Sequence, residues 1–184
     1  DPREMQRSAC TRQGGGAGTH AHKSPAPSLS ATIPVEMQRS LHHEVLRQGR
    51  AGLGKTLEIG AGCGYQAAVL AQLTHEVYAV ERIEPLLARA KLNLRAIKQF
   101  RVRLKYADGQ FGIPEAAPFD TIIVAAAASA VPPALLQQLA LGGRMLLPLG
   151  TGSQFLHLVE HRPEGFVNTR LDAVRFVPLL SGLE

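Results

Sequence analysis

The chain has 184 residues, a hydrophobic fraction of 45% and a formal net charge of +5, which suits one globular domain with a real core. Every apolar run is shorter than the ~20 residues of a membrane-spanning helix, and no apolar segment follows the N-terminal arginines, so we expect neither a membrane span nor a secretory signal. The two cysteines, Cys10 and Cys63, lie far apart, which predicts no disulfide framework, no metal site and a reducing, cytoplasmic location.

Most of the positive charge lies near the N-terminus, because residues 1–55 carry a balance of +4 out of the total of +5. The rest of the chain contains one purely basic run. Only one aromatic residue, Phe100, lies within this run, so we interpret it as a solvated face and expect no nucleic-acid partner. It consists of Arg89, Lys91, Arg95, Lys98, Arg101, Arg103 and Lys105.

The composition divides the chain into three segments. Residues 1–34 are rich in glycine, serine and proline, and we expect a disordered tail there. Residues 35–55 predict an atypical N-terminal helix and a linker, since apolar residues recur at helical spacing over 35–48 before Gly49 and Gly52. Residues 56–184 form the predicted main domain.

Strands and helices alternate regularly from Thr56 onward. The pattern predicts helices at 64–73 and 83–98, and a third from Pro132 to about residue 140 that Gly142 and Gly143 end. It predicts an α/β domain with a mostly parallel sheet and helices on both faces. Residues 154–161 and 166–178 have no helix between them, which predicts a C-terminal antiparallel hairpin. The other predicted strands cover 56–60, 76–80, 101–107, 119–126 and 143–148.

A glycine-rich turn joins the first predicted strand to the first helix. Gly60, Gly62 and Gly64 occur at alternate positions, and glycine permits both a tight turn and the close approach of a ligand. The N–H groups that open the next helix favour electron-rich groups. The turn therefore predicts a nucleotide-type pocket; the alternative is a tight strand-to-helix turn that binds nothing.

Acidic residues end the next two predicted strands. Glu81 follows the glycines by about 20 positions, where a carboxylate can accept hydrogen bonds from ribose hydroxyls; alternatively it only favours a helix dipole. Asp108 precedes Gly109 and can reach an adenine amino group, although Asp-Gly is also common in plain turns. The glycine turn and both acids together are more specific than any one of them.

The pattern Glu58-x-Gly60-x-Gly62-x-Gly64 resembles motif I of the S-adenosylmethionine-dependent methyltransferases. Longer stretches resemble the protein-L-isoaspartate O-methyltransferase family over about residues 56–184. They include Leu57-Glu58-Ile59-Gly60-Ala61-Gly62-Cys63-Gly64-Tyr65-Gln66, Val80-Glu81-Arg82-Ile83, Asp108-Gly109, Gly142-Gly143-Arg144-Met145-Leu146-Leu147-Pro148 and Ala173-Val174-Arg175-Phe176-Val177-Pro178-Leu179. This resemblance implies a Rossmann-like methyltransferase fold and S-adenosylmethionine as the cofactor.

The resemblance also implies a set of site residues. Thr32 is the nearest counterpart of the hydroxyl residue in the family's N-terminal active-site segment, of which Thr32-Ile33 is the only recognisable part. Val124, Ala125, Ala126 and Gln154 are implied on the substrate side. The implied cofactor-binding residues are Glu58, Gly60, Ala61, Gly62, Cys63, Gly64, Glu81, Arg82, Asp108 and Gly109.

The implied activity is methyl transfer to the α-carboxyl group of L-isoaspartyl residues in damaged proteins, by a monomer whose partners are those proteins. A carboxylate is already ionised at neutral pH and needs no general base, and the sequence contains no recognisable nucleophile–base constellation. Two alternatives remain open: a methyltransferase with another substrate, and an inactive or truncated cofactor-binding relative. The glycine spacing disfavours a nicotinamide-dependent oxidoreductase.

Overall fold

The computed structural model describes residues 44–184. The predicted tail, Cys10, Thr32 and most of the predicted helix at 35–48 lie outside the described residues. The strands are β1 (Thr56–Ile59), β2 (Val77–Glu81), β3 (Val102–Tyr106), β4 (Phe119–Val124), β5 (Leu139–Leu149), β6 (Gln154–Arg162) and β7 (Gly165–Val174). The helices are α1 (Tyr65–Leu73), α2 (Glu84–Ala96) and α3 (Pro133–Gln137), with 3₁₀ turns at Gly109–Phe111 and Pro114–Ala116.

The seven strands form one sheet in the order β3-β2-β1-β4-β5-β6-β7. The pairs from β3 to β5 are parallel, whereas β6 and β7 are antiparallel additions. The strand order reverses between β1 and β4, and ligands of open α/β sheets bind at the carboxyl ends of strands beside such a switch point. The predicted mostly parallel sheet with a C-terminal hairpin is confirmed.

The core has two layers, one on each face of the sheet. On one face Leu57 and Ile122 pack with Leu135 of α3 and with Leu179 near the C-terminus. On the other face Leu70 of α1 packs against Ile123. Alternate residues of β1 and β4 thus serve opposite layers, as strands buried on both faces require. None of the helices within residues 44–184 is long and apolar enough to cross a membrane.

The third predicted helix begins where expected, at the Pro132–Pro133 pair, but its predicted end near residue 140 is wrong. The helix ends at Gln137, and β5 begins at Leu139 and runs through Gly142 and Gly143. Gly142 has a positive φ of 76°, and a Cβ on Gly143 would lie 2.7 Å from the carbonyl oxygen of Ala140. The two glycines therefore allow a tight bend inside the strand, and they do not end a helix.

Residues 44–55 are integrated into the fold. Residues 44–47 are helical, and Leu46 and Leu53 are fully buried in the core layer that includes Leu70. Arg144 of β5 donates hydrogen bonds to the carbonyl groups of Val45, Leu46 and Gln48. Such bonds satisfy carbonyls that a helix end leaves unpaired.

Glu160 holds Arg144 in place through an ion pair of 3.1 Å, and also pairs with Arg162 at 2.6 Å. The hydrogen bond from Arg162 lowers the pKa of Glu160, and the charges of both arginines lower it further. A carboxyl group with a depressed folded-state pKa stabilises the protein above its unfolded pKa. That stabilisation is lost as the pH falls through the folded-state pKa.

We predict that Glu160→Gln lowers the free energy of unfolding by about 0.5–1 kcal/mol at pH 7 and flattens its decline between about pH 5 and pH 3. Urea unfolding measured across this pH range tests the prediction. Glu164→Gln, in the exposed turn between β6 and β7, is the matched control and should keep the wild-type pH dependence. If the free energy of unfolding of Glu160→Gln declined over this pH range as steeply as that of the wild type, the prediction would be contradicted.

Candidate functional site

The glycine turn lies at the carboxyl end of β1, beside the switch point. Gly60, Gly62 and Gly64 have positive φ angles of 89°, 56° and 84°, a region that side chains with a Cβ disfavour. A Cβ on Gly64 would lie 3.3 Å from the Cβ of Ala90 in α2, whereas a Cβ on Gly62 would meet no described atom within 4 Å. The turn is therefore packed against α2 at one end and open at its middle.

Glu81, at the end of β2, connects the glycine turn to the start of α2. Its side chain is buried, with 2% exposure. The Oε2 atom accepts a hydrogen bond from the Gly62 N–H at 2.8 Å, and Oε1 accepts one from the Ile83 N–H at 2.9 Å. Each carboxylate oxygen has a second lone-pair site, so Glu81 can still accept hydrogen bonds from ligand hydroxyls.

Asp108 follows β3, and both of its carboxylate oxygens accept backbone hydrogen bonds. Oδ1 accepts from the Gln110 N–H at 2.9 Å, and Oδ2 accepts from the Gly182 N–H at 2.6 Å. A Cβ on Gly109 would lie 2.4 Å from the Cγ2 atom of Ile59. The turn after β3 thus lies directly against the end of β1.

A small cavity of about 50 Å³ joins these strand ends. Its lining includes Gly60, Glu81, Arg82, Gly109 and Ala126, so the structure brings together predicted residues from the ends of four strands. Two further predicted residues lie next to it: Val124 ends β4, and the Ala125 N–H donates to the Ile59 carbonyl at 2.8 Å. Glu58 lies deeper in β1, with 1% exposure, between Ala79 and Ile123.

Gln154 and Arg82 contact the C-terminal part of the chain. Gln154 Oε1 accepts from the Phe176 N–H at 2.6 Å, and its Nε2 donates to the Phe176 carbonyl at 3.0 Å. Arg82 Nε donates to the Gly182 carbonyl at 2.8 Å. Both residues therefore position the segment that covers the cavity, and their assignment to cofactor or substrate remains a prediction.

Sequence reasoning missed the C-terminal segment as part of the site. Residues 177–180 line the cavity, and Ala127 exchanges backbone hydrogen bonds of 2.7 Å with Val177 and Leu179. The available signal was the apolar run Val177-Pro178-Leu179-Leu180 beyond a strand of mostly exposed residues. No local pattern shows which strand ends such a run covers.

Cys63 lies in the glycine turn, where its carbonyl accepts a hydrogen bond from Asn93 Nδ2 at 2.9 Å. Its sulfur is part of a disulfide. The expectation of no disulfide framework from two distant cysteines did not anticipate this bond. Within residues 44–184, no group of three or more histidine, cysteine, aspartate or glutamate side chains could hold a metal ion.

The sheet order, the glycine turn at the switch point and the acids at the next two strand ends define a Rossmann-like fold of the methyltransferase class. Two solved structures have a similar fold. A protein-L-isoaspartate O-methyltransferase is 28% identical, with a TM-score of 0.73, over 80% of this chain and 48% of that one. A Plasmodium falciparum protein described as a putative member of that family is 22% identical, with a TM-score of 0.67, over 85% of this chain and 79% of that one.

The chain belongs to the protein-L-isoaspartate(D-aspartate) O-methyltransferase family, whose model matches residues 28–184. A protein-L-isoaspartate O-methyltransferase of Dechloromonas aromatica is 70% identical over 141 residues, which are 77% of this chain and 65% of that protein. One of Azoarcus sp. is 60% identical over 160 residues, which are 83% of this chain and 74% of that protein. The chain thus spans about 65% of the length of the first curated relatives it matches.

We predict that Glu81→Gln destabilises the protein by about 2 kcal/mol, because one carboxylate oxygen becomes an NH₂ group that faces a backbone N–H in a buried site. Urea unfolding at pH 7 measures this loss. Glu84→Gln is the matched control, since Glu84 is exposed at the start of α2, and it should change stability by less than about 0.5 kcal/mol. Equal stability of Glu81→Gln and the wild type would show that Glu81 does not hold the turn.

Proposed function

We propose that this chain is the cofactor-binding and catalytic part of an enzyme that methylates the α-carboxyl group of L-isoaspartyl residues in damaged proteins. The observation that carries the proposal is the convergence of Gly60, Glu81 and Gly109 on one cavity beside the switch point, with Asp108 directly before Gly109. Family membership supports the same activity. The proposed partners are isoaspartyl-containing proteins and peptides, met by a monomer in the cytoplasm.

The described residues fit S-adenosylmethionine, the cofactor of this family. The open middle of the turn at Gly62 leaves room for a ligand against the main chain. The Glu81 carboxylate would accept hydrogen bonds from the ribose hydroxyls, and Asp108 would accept one from the adenine amino group. When bound, this cofactor supplies a methyl group that is already activated on a positively charged sulfur.

The chain's own residues have to orient the acceptor and exclude water. The acceptor carboxylate is ionised at neutral pH, so the mechanism needs no general base. Val124 and Ala126 are buried and apolar, and they would form a dry wall at the end of β4. Positioning of this kind contributes to rate by holding the reacting atoms in line. Thr32 stays the proposed active-site hydroxyl, and it lies outside the described residues.

We predict that the protein transfers a labelled methyl group from S-adenosylmethionine to an isoaspartyl peptide and not to its aspartyl twin. Base-labile label recovered from the peptide measures the reaction.

Asp108→Ala should lower the affinity for S-adenosylhomocysteine about tenfold, because a charged acceptor for the adenine amino group is lost. Asp172→Ala, on the exposed part of β7, is the control and should bind as the wild type does.

Each contrary result has a distinct meaning. Binding of S-adenosylhomocysteine without transfer to the isoaspartyl peptide would contradict the proposed substrate but not the proposed cofactor. Absence of binding by the wild type and by both variants would contradict the proposed cofactor site itself. Equal affinity of Asp108→Ala and Asp172→Ala would remove Asp108 from the site.

A further inference from the structure

Residues 180–184, here called the strap, cross the outer ends of β2 and β3. Arg82 is the main contact on the β2 side: its Nε donates to the Gly182 carbonyl at 2.8 Å, and its Nη1 pairs with Glu184 Oε2 at 3.2 Å. The Glu184 N–H donates to the Arg82 carbonyl at 2.8 Å. The strap and the loop after β2 are thus joined in both directions.

Two more contacts extend the attachment to α2 and β3. The Glu184 carbonyl accepts a hydrogen bond from the Glu84 N–H at 2.7 Å, at the start of α2. It also accepts one from the Tyr106 hydroxyl at 3.1 Å, at the end of β3. The strap therefore spans the same strand ends that carry the predicted adenosine-binding residues.

The strap also engages the proposed adenine acceptor directly. The Gly182 N–H donates to Asp108 Oδ2 at 2.6 Å, which is the kind of bond that an adenine amino group would make. Leu179 and Leu180 line the cavity next to it, which is partly open and has a volume of about 50 Å³. That space holds a few water molecules, and it is far too small for a nucleoside.

The strap is held by polar contacts more than by burial. All five of its residues are exposed, and Leu180 and Leu183 expose 42% and 54% of their surface. Segments with few buried apolar contacts open at low free-energy cost. The preceding residues stay attached, because Leu179 bonds to Ala127 and Gln154 holds Phe176. The structure thus has a firm anchor followed by the weakly held strap.

We propose that the strap is a gate over the adenosine site. Arg82 holds the strap closed, and the Gly182 N–H occupies the acceptor atom of Asp108 that the adenine amino group would use. This inference rests on the proposed cofactor site. In the closed form the Gly182 N–H competes with the adenine amino group for Asp108 Oδ2, and Leu180 lines the cavity. Cofactor binding therefore favours molecules in which the strap has moved away. The apparent affinity of the closed protein is reduced by the fraction of molecules in which the strap is open.

A strap that serves as a fixed wall of the site would give the opposite experimental results. If the strap were a fixed wall that contacts bound adenosine, loosening it would weaken binding, and the ligand would protect the strap. If it is a gate, loosening it strengthens binding, and the ligand exposes the strap. The sign of the change therefore decides between the two roles.

Gly182→Pro is the most direct test, because proline removes the N–H donor and cannot adopt the positive φ of 81° at this position. We expect Gly182→Pro to bind S-adenosylhomocysteine about fivefold more tightly in calorimetry and to associate faster, as loss of one hydrogen bond to the closed state implies. Glu184→Gln, which weakens the ion pair with Arg82, should change the affinity in the same direction. Ser181→Ala is the control, since Arg82 contacts only the backbone carbonyl of Ser181.

Amide hydrogen exchange provides a readout that is independent of activity. We expect S-adenosylhomocysteine to speed exchange at the Gly182 amide in the wild type and to slow exchange at the Gly62 amide. Weaker or unchanged binding by Gly182→Pro, or slower exchange at Gly182 with ligand, would overturn the gate while the proposed cofactor site stands. Absence of binding by all four proteins would overturn both.

Discussion

The site depends on one buried carboxylate. Glu81 accepts hydrogen bonds from Gly62 and from Ile83, so a single side chain joins the turn after β1 to the loop that leads into α2. Without it, two backbone N–H groups beside the core would lose their partners, and buried unpaired donors are costly. The positive φ angles of the turn are held in place by this bond and by the packing of Gly64 on Ala90. The open face at Gly62, on which the proposed cofactor site relies, follows from both.

Residues that belong to short sequence patterns could be placed in the fold from the sequence. The alternate glycines require positive φ, and buried apolar runs that end in Glu81 or Asp108 place those acids at the carboxyl ends of parallel strands. The regular alternation of strands and helices was enough to predict the parallel sheet and its hairpin. The glycine pair at 142–143 was misinterpreted, because the same residues can end a helix or bend a strand, and only pairing with β4 and β6 distinguishes these cases.

Long-range contacts could not be predicted in this way. Gly182 meets Asp108 across 74 positions, and its carbonyl meets Arg82 across 100. No periodicity indicates that a C-terminal segment folds back over the end of β3. The role of Gln154 was hidden for the same reason, since its partner is the backbone of Phe176. These contacts change the view of the site from an open turn to a small cavity under a covering segment.

We propose that the ends of β1, β2 and β3 form an adenosine site. The most direct measurement is a titration of the isotope-labelled protein with S-adenosylhomocysteine, followed through the backbone amide resonances. An adenosine site there predicts saturable shifts at Gly60, Gly62 and Gly109, with the amides of β6 and β7 beyond Gln154 unchanged. Saturation with no shift at these glycines, or with the largest shifts in β6 and β7, would contradict it.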